Sequence, residues 1–363
     1  MPRLARLVTT LAAPLPFSGA DAAPHLEPRL TSRLLVQRGD TELIVQEVQP
    51  PTTASTVSFP APWPRRFGTS AVSPAADLVV FTGPHALRAV DQSGSPRWEL
   101  RHRCWAGCVG HTDFSEYADD RDHRYANRGS AGFSLDGNTV WAHVHGPLEH
   151  DASDHDRGEE WLVIDAADGT VLARTQTRTA AAGSLHVPHP DPGQMGLTIG
   201  EGQDGSPLRW GKWDGHALIV HSFGDEDRVL LGVSPSGDRL LTVTHDQDVL
   251  AVHLVADGSV VAELNADVLP PYPAFEEETT DDEAQAFFGY EGGFVDEKTL
   301  VVGTVESDEE FSTGRHWLVD AVHMQLIDQI TYPFEVPGLP KALGDGTWYT
   351  VSNLDHALHI WAL

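Results

Sequence analysis

Hydrophobic residues fall in short runs of about four to six, cut by Gly, Asp, Asn, Ser and Pro. The clearest stretch, 230–264, reads LLGVSPSGDRLLTVTHDQDVLAVHLVADGSVVAEL. It predicts four strands, at 230–233, 240–244, 249–254 and 259–264, joined by turns at SPSGD, HDQD and ADG. Turns this short force neighbouring strands to run antiparallel. Gly accepts positive φ and Asp bonds to nearby backbone, so these aspartates read as turn formers rather than catalysts.

The same grammar recurs at AGFSLDGNTVWAHVHG (131–146) with WLVIDAADGTVLART (161–175), and at GTSAVSPAADLVVFTG (68–83) with ALRAVDQSGSPRWEL (86–100). It returns at GYEGGFVDEKTLVVGTV (289–305) with HWLVDAVHMQLIDQI (316–330), and in a worn form at 186–200 with 208–223. The first turn of each unit falls at Ser73, Ser134, Pro190, Ser234 and Asp296, intervals of roughly 40 to 60 residues. One small sheet cannot cover both of its faces, whereas radial packing against neighbours can. The expected fold class is therefore all-β: a β-propeller of six four-stranded blades, or seven if residues 30–65 form a degenerate blade. The final unit, GDGTWYTVSNLDHALHIWAL, has no outer strand of its own. The strand-like segments 33–39 and 41–48 have no unit. We expect the ring to close by an N-terminal strand pairing with the last blade, which would hide two edges.

Ser234-Pro-Ser-Gly-Asp238 before Leu240-Leu241, and Ser134-Leu-Asp-Gly137, resemble the turn of bacterial WD40-like repeats. Ala89-x-Asp91-x-x-Gly94-x3-Trp98 and Asp165-x3-Gly169 are similar to a motif of PQQ-like propeller repeats. The resemblance spans about residues 66 to 363. It implies a propeller fold and is nearly silent on function. The adjacent cysteines of a quinoprotein dehydrogenase are missing, so no quinone cofactor is implied.

The chain has 363 residues and a formal net charge of −29. Such acidity repels nucleic-acid phosphates and anionic lipid and reads first as solubility. No apolar run approaches the roughly 20 residues of a membrane span. The start, MPRLARLVTTLAAPLPFSGADAA, combines early arginines with a mildly apolar stretch and Ala20-Asp21-Ala22. Thr9, Thr10, Pro14 and Pro16 make it a weak secretory signal, so residues 1–29 are expected to be a ragged N-terminus and 30–363 one propeller domain. Two cysteines make no disulfide framework and fit a reducing compartment. A cytoplasmic monomer is expected, with export as the alternative.

Both cysteines lie in RHRCWAGCVGHTD (101–113), each flanked by a histidine. His102, Cys104, Cys108 and His111 are the candidate metal ligands, for zinc, since four such groups can close a tetrahedral site. The three-residue gap between the cysteines departs from the usual Cys-x2-Cys. It also suits a disulfide, and packed thiols or a disulfide rank ahead of zinc. The loop 101–130 is expected to act as a lid with a short helix near 114–119. EHDASDHDRGEE (149–160) reads as a solvated acidic hairpin tip, with a faint calcium-loop spacing at Asp154, Asp156, Gly158 and Glu160. EEETTDDEAQAFF (276–288) reads as a short helix capped by Thr279 or Thr280 and packed down by Phe287 and Phe288. Strand histidines such as His143 and His253 read as satisfied sheet residues.

No nucleophile elbow, phosphate loop or zinc-protease motif is present in the sequence. The favoured function is a non-catalytic scaffold that binds a protein or peptide through the 101–130 and 147–160 rim loops. A basic partner would suit the acidic surface. The alternative is a hydrolase or lactonase-like propeller with a metal in its central channel, but the inner strands identified carry almost no carboxylates.

Overall fold

A computed structural model describes residues 2–16, 23–29, 32–49, 52–105, 113–116, 127–151, 158–223, 227–270, 286–306 and 314–363. Apart from short 3-10 turns, the regular elements among them are strands. The strands form seven antiparallel meanders, so the fold is a β-propeller with four-stranded blades, seven rather than six.

The chain divides into two compact units, residues 14–222 and residues 1–13 with 223–363. The first holds four blades. Blade one comprises His25–Pro28, Arg33–Arg38, Glu42–Gln49 and Thr52–Pro60. Blade two comprises Ser70–Val72, Leu78–Thr82, Ala86–Asp91 and Pro96–Arg101. Blade three runs through Ser130–Phe133, Thr139–His145, Glu159–Asp165 and Val171–Gln176. Blade four runs through Gly183–Pro188, Gln194–Gly200, Leu208–Trp213 and Leu218–Ser222. The segments 33–38 and 42–49 thus have a blade of their own. Its outer strand, rich in Thr and Ser, carries no apolar run for sequence reading to find.

The second unit holds blades five to seven. Blade five comprises Arg228–Val233, Arg239–Thr244, Val249–Leu254 and Val260–Asn265. Blade six comprises Ala286–Phe294, Thr299–Glu306, His316–Asp320 and Gln325–Thr331. Blade seven contributes only Lys341–Ala342, Thr347–Val351 and Leu358–Ala362 from its own stretch of chain. Its fourth strand is Arg6–Leu11, antiparallel to Leu358–Ala362. Just before it, Arg3–Leu4 lies parallel to the edge of blade six, with Leu4 opposite Thr331. Ala5 is buried between these pairings and packs in one cluster with Trp348, Trp361 and Ile330. Residues 1–29, read from sequence as ragged, therefore contain three strands. Phe287 and Phe288 lie in a blade-six strand, not on a helix, while 271–285 fall outside the described residues.

The central strands are continuous apolar runs because both faces are covered. In blade two, Val79 and Phe81 pack with Leu43, Val45 and Phe59 of blade one, while Val80 and Leu87 pack with Val140 and Leu162 of blade three. Between blades three and four the close approach is extreme. A Cβ on Gly211 would lie 2.5 Å from Trp141 Cζ3 and 2.8 Å from Trp161 Cη2.

The repeated Ser-x-x-Gly turn works through its serine. The buried hydroxyls of Ser73, Ser134 and Ser234 accept from the N–H groups of Leu78, Thr139 and Arg239, each at 3.1 Å. The fourth turn residue is left-handed: Gly137 at φ 75° and Gly237 at φ 83°. Blade two places Ala76 there at φ 56°. A left-handed L-residue costs about 1 kcal/mol. Ala76→Gly should therefore stabilise the chain by a few tenths to about 1 kcal/mol, and Gly137→Ala should destabilise it by about 1 kcal/mol. Urea midpoints check this, and equal signs for the two substitutions would contradict the turn assignment.

Candidate functional site

In an antiparallel meander the start of the innermost strand, the end of the second and the start of the third share one end of the blade. In the four-blade unit, bonds between blades join these ends into one rim. Arg38 ends the second strand of blade one, and its Nη1 donates to Thr69 O at 2.6 Å. The Thr69 hydroxyl reaches Gly129 O at 3.5 Å, just before the innermost strand of blade three. Ser130 Oγ lies 2.8 Å from Ser184 Oγ of blade four. The connection leaving blade two is strapped to the same rim. The His102 and Trp105 N–H groups donate to His85 O and Pro84 O at 2.9 Å each, Arg103 N–H to Pro147 O, and Glu149 N–H to Arg101 O. His102 and Leu148 form a β-bridge. The described starts of the two loops expected to form a recognition face, 101–105 and 147–149, are thus laced together.

Of the four candidate metal ligands, His102 and Cys104 are both buried. Cys108 and His111 lie outside the described residues. His102 Nδ1–H donates to Arg103 O at 2.7 Å, leaving Nε2 a buried lone pair without a hydrogen-bond partner. Among the described residues, no three of His, Cys, Asp and Glu are grouped to hold a metal ion. Asp154 and Asp156 also lie outside the described residues. Of the lid helix, Phe114–Glu116 is a 3-10 turn and 117–119 are not described.

Glu159 and Glu160 do not belong to a solvated tip. They start a strand and are buried. Burial works to raise the Glu159 carboxyl. His143, the Thr179 hydroxyl at 2.5 Å and the Ala181 N–H at 2.6 Å nevertheless hold it below the usual carboxylate range. His143 Nε2 stands 3.3 Å from Glu159 Oε2, and neither ring nitrogen has an aligned hydrogen-bond partner. Trp105 packs edge-on against His143 and His145, at centroid distances of 5.4 and 5.6 Å. The expectation that strand histidines are satisfied holds for His253, whose Nδ1–H donates to Gly258 O while Nε2 takes the Thr242 hydroxyl. It does not hold for His143. No spacing in the sequence marks Glu159 with His143, because the two meet only across paired strands.

One Ser–His contact has the parts of a nucleophile and base. His186 Nδ1 lies 2.8 Å from Ser130 Oγ, and its Nε2 accepts from Trp161 Nε1–H at 2.9 Å. An indole N–H only donates, so His186 carries its proton on Nδ1 and gives it to Ser130. That tautomer cannot take the serine proton. The group acts as a pin between blades three and four. His316 plays the same part between blades six and seven, donating from Nε2 to Gly338 O and accepting the Tyr332 hydroxyl, which in turn accepts Trp348 Nε1–H.

No family model matches this chain, and neither does any curated protein sequence. Solved structures do. A structure of the mitotic checkpoint complex matches at TM-score 0.57 and 11% identity, over 98% of this chain and 91% of that one. BBS1N, solved in complex with ARL6DN, matches at 0.51 and 13%, over 100% and 98%. A structure from a study of two prolyl endopeptidases matches at 0.55 and 12%, over 92% of this chain but 46% of that one. The present chain thus spans under half the length of that endopeptidase. At these identities the likeness is one of fold.

The histidine pins set a pH dependence. Burial pushes His102 and His186 down to about 3 and His316 to about 4. In the unfolded chain an imidazole titrates near about 6.5. Above that pH both states are neutral and stability is complete. Below it the unfolded chain takes up protons that the fold refuses, so stability falls as pH drops toward 4, by up to about 1.4 kcal/mol per pH unit for each ring. Melting temperatures from pH 8 to 4.5 should be flat above 6.5 and fall steeply below it. A flat profile throughout would contradict the neutral pins.

Proposed function

We propose that this chain is a non-catalytic β-propeller that binds a protein or peptide through the rim of its four-blade unit. The observation that carries the reading is the lacing of that rim. The Arg38 guanidinium ties the second strand of blade one to the residue before the innermost strand of blade two, hydroxyl bonds link the innermost strand starts of blades two to four, and backbone bonds strap the segment 101–105 to the turns at 84–85 and 147–149. Binding loops gain affinity when a rigid scaffold positions them, because less freedom is lost on association.

The enzyme reading has less to stand on. The serine–histidine pair is locked by Trp161 in the wrong tautomer, and Glu159 already accepts from the Thr179 hydroxyl and the Ala181 N–H. The step from propeller to recognition is an analogy of fold. Two of the similar structures are of complexes, which supports that analogy without identifying a partner. With a net charge of −29, a partner rich in lysine and arginine would be drawn to the chain as a whole.

Affinity capture from the native cell, followed by cross-linking at carboxylates and mass spectrometry, tests the reading. Links to the partner are expected from Glu149, Glu201 and Asp204 on the laced rim. Links confined to Asp136, Asp168 and Asp214, in turns at the opposite ends of the blades, would overturn it.

A further inference from the structure

We infer that the laced rim carries an oxyanion site, at which Arg38 and Arg128 receive a carboxylate or phosphate group. This goes beyond the proposed function and does not depend on it, since a small anion can bind whether or not a protein does.

Arg38 is 6% exposed and, among the described residues, has no carboxylate in ion-pair contact, Asp40 pairing with Arg65 instead. Among the described residues its guanidinium is held by backbone carbonyls: Nη1 by Thr69 O and Gly68 O, Nη2 by Trp63 O at 3.1 Å. Nε is buried without an acceptor. The Phe81 ring lies 4.9 Å below the guanidinium carbon. A buried cation usually has a counter-charge, since leaving one uncompensated is strongly unfavourable.

The neighbours deepen the deficit. Arg128 adjoins Gly129, whose carbonyl the Thr69 hydroxyl approaches at 3.5 Å, so Thr69 joins the Arg38 side chain to the backbone next to Arg128. Arg128 is exposed and forms no ion pair among the described residues. Arg65, in the 3-10 turn Arg65–Phe67, meets Asp40 at 3.4 Å and spends that carboxylate. Among the described residues whose charge acts on Arg38, two further arginines, Arg128 and Arg65, stand against Asp40. Burial pushes Arg38 down to about 10, with Arg128 and Arg65 adding to the effect and Asp40 opposing it.

A planar guanidinium fork matches the paired oxygens of carboxylate and phosphate alike. In the site we infer, the buried Arg38 supplies a fixed field, and the exposed Arg128 supplies the fork that takes the ligand. The half-buried Thr69 hydroxyl stands beside them as a neutral partner.

Calorimetric titration of the full chain tests this with two probes at constant ionic strength, inorganic phosphate and a tetraglutamate peptide. Saturable binding of at least one is expected, and the probe that binds names the source of the group. Arg128→Ala should weaken it about tenfold or more. Arg97→Ala, an exposed arginine at the opposite end of blade two, should leave it unchanged. Arg128 is a surface residue, so its variant is expected to melt as the parent does; Arg38→Lys, which keeps charge but loses the fork, gives a second reading. Absence of saturable binding by both probes, or parental affinity in Arg128→Ala, would overturn the site. Phosphate binding without any captured partner would sink the proposed function and leave the site standing.

Discussion

A four-stranded sheet with apolar residues on both faces cannot be stable by itself. Everything else in this chain follows from that constraint. Each core cluster lies between two neighbouring blades, never within one. Val79 and Phe81 serve one neighbour while Val80 serves the other, one residue apart on a strand that alternates sides. Burial of this kind is the main favourable term in folding, and here it is available only through stacking.

Stacking also brings polar groups into places without water. The fold answers with side chains that stay neutral or find fixed partners. His186 and His316 bridge adjacent blades as uncharged rings, each using one nitrogen to donate and the other to accept. Glu159 keeps its charge by collecting donors from the connection to blade four. Among the described residues Arg38 keeps its charge with carbonyls, and that imbalance makes its corner of the rim receptive to an anion. The anion site proposed above thus draws on the same kind of buried polar group as the stacking does.

The blades were legible because their signals are local. Ser234-Pro-Ser-Gly-Asp238 and Ser134-Leu-Asp-Gly137 announce a serine-capped turn within a few residues, and the apolar runs flank it. Blade one was legible only as the seven-blade alternative, because it lacks the Ser-x-x-Gly spacing and its outer strand is Thr52–Pro60, polar along most of its length. Arg6–Leu11 was missed for a different reason: RLVTTL looks like a weak leader, and its strand partner lies at the far end of the chain. The site residues were least legible. His143 with Glu159, Ser130 with His186, and Arg38 with Thr69 are pairs made by register and stacking, and nothing in their spacing announces them. Only the cysteine–histidine loop carries a local spacing signal, at His102, Cys104, Cys108 and His111. Of that quartet, His102 and Cys104 are brought into the same buried rim.

The stacking constraint is most exposed at blade seven, whose outer strand comes from the opposite end of the chain. Removing residues 1–13 and following amide hydrogen exchange tests the account most directly. Strand Leu358–Ala362 would then become an uncovered edge, and Trp348 and Trp361 would lose the cover of Ala5. The account predicts fast exchange at Leu358–Ala362 and a clear fall in melting temperature. Unchanged protection at those amides, with an unchanged melting temperature, would contradict it.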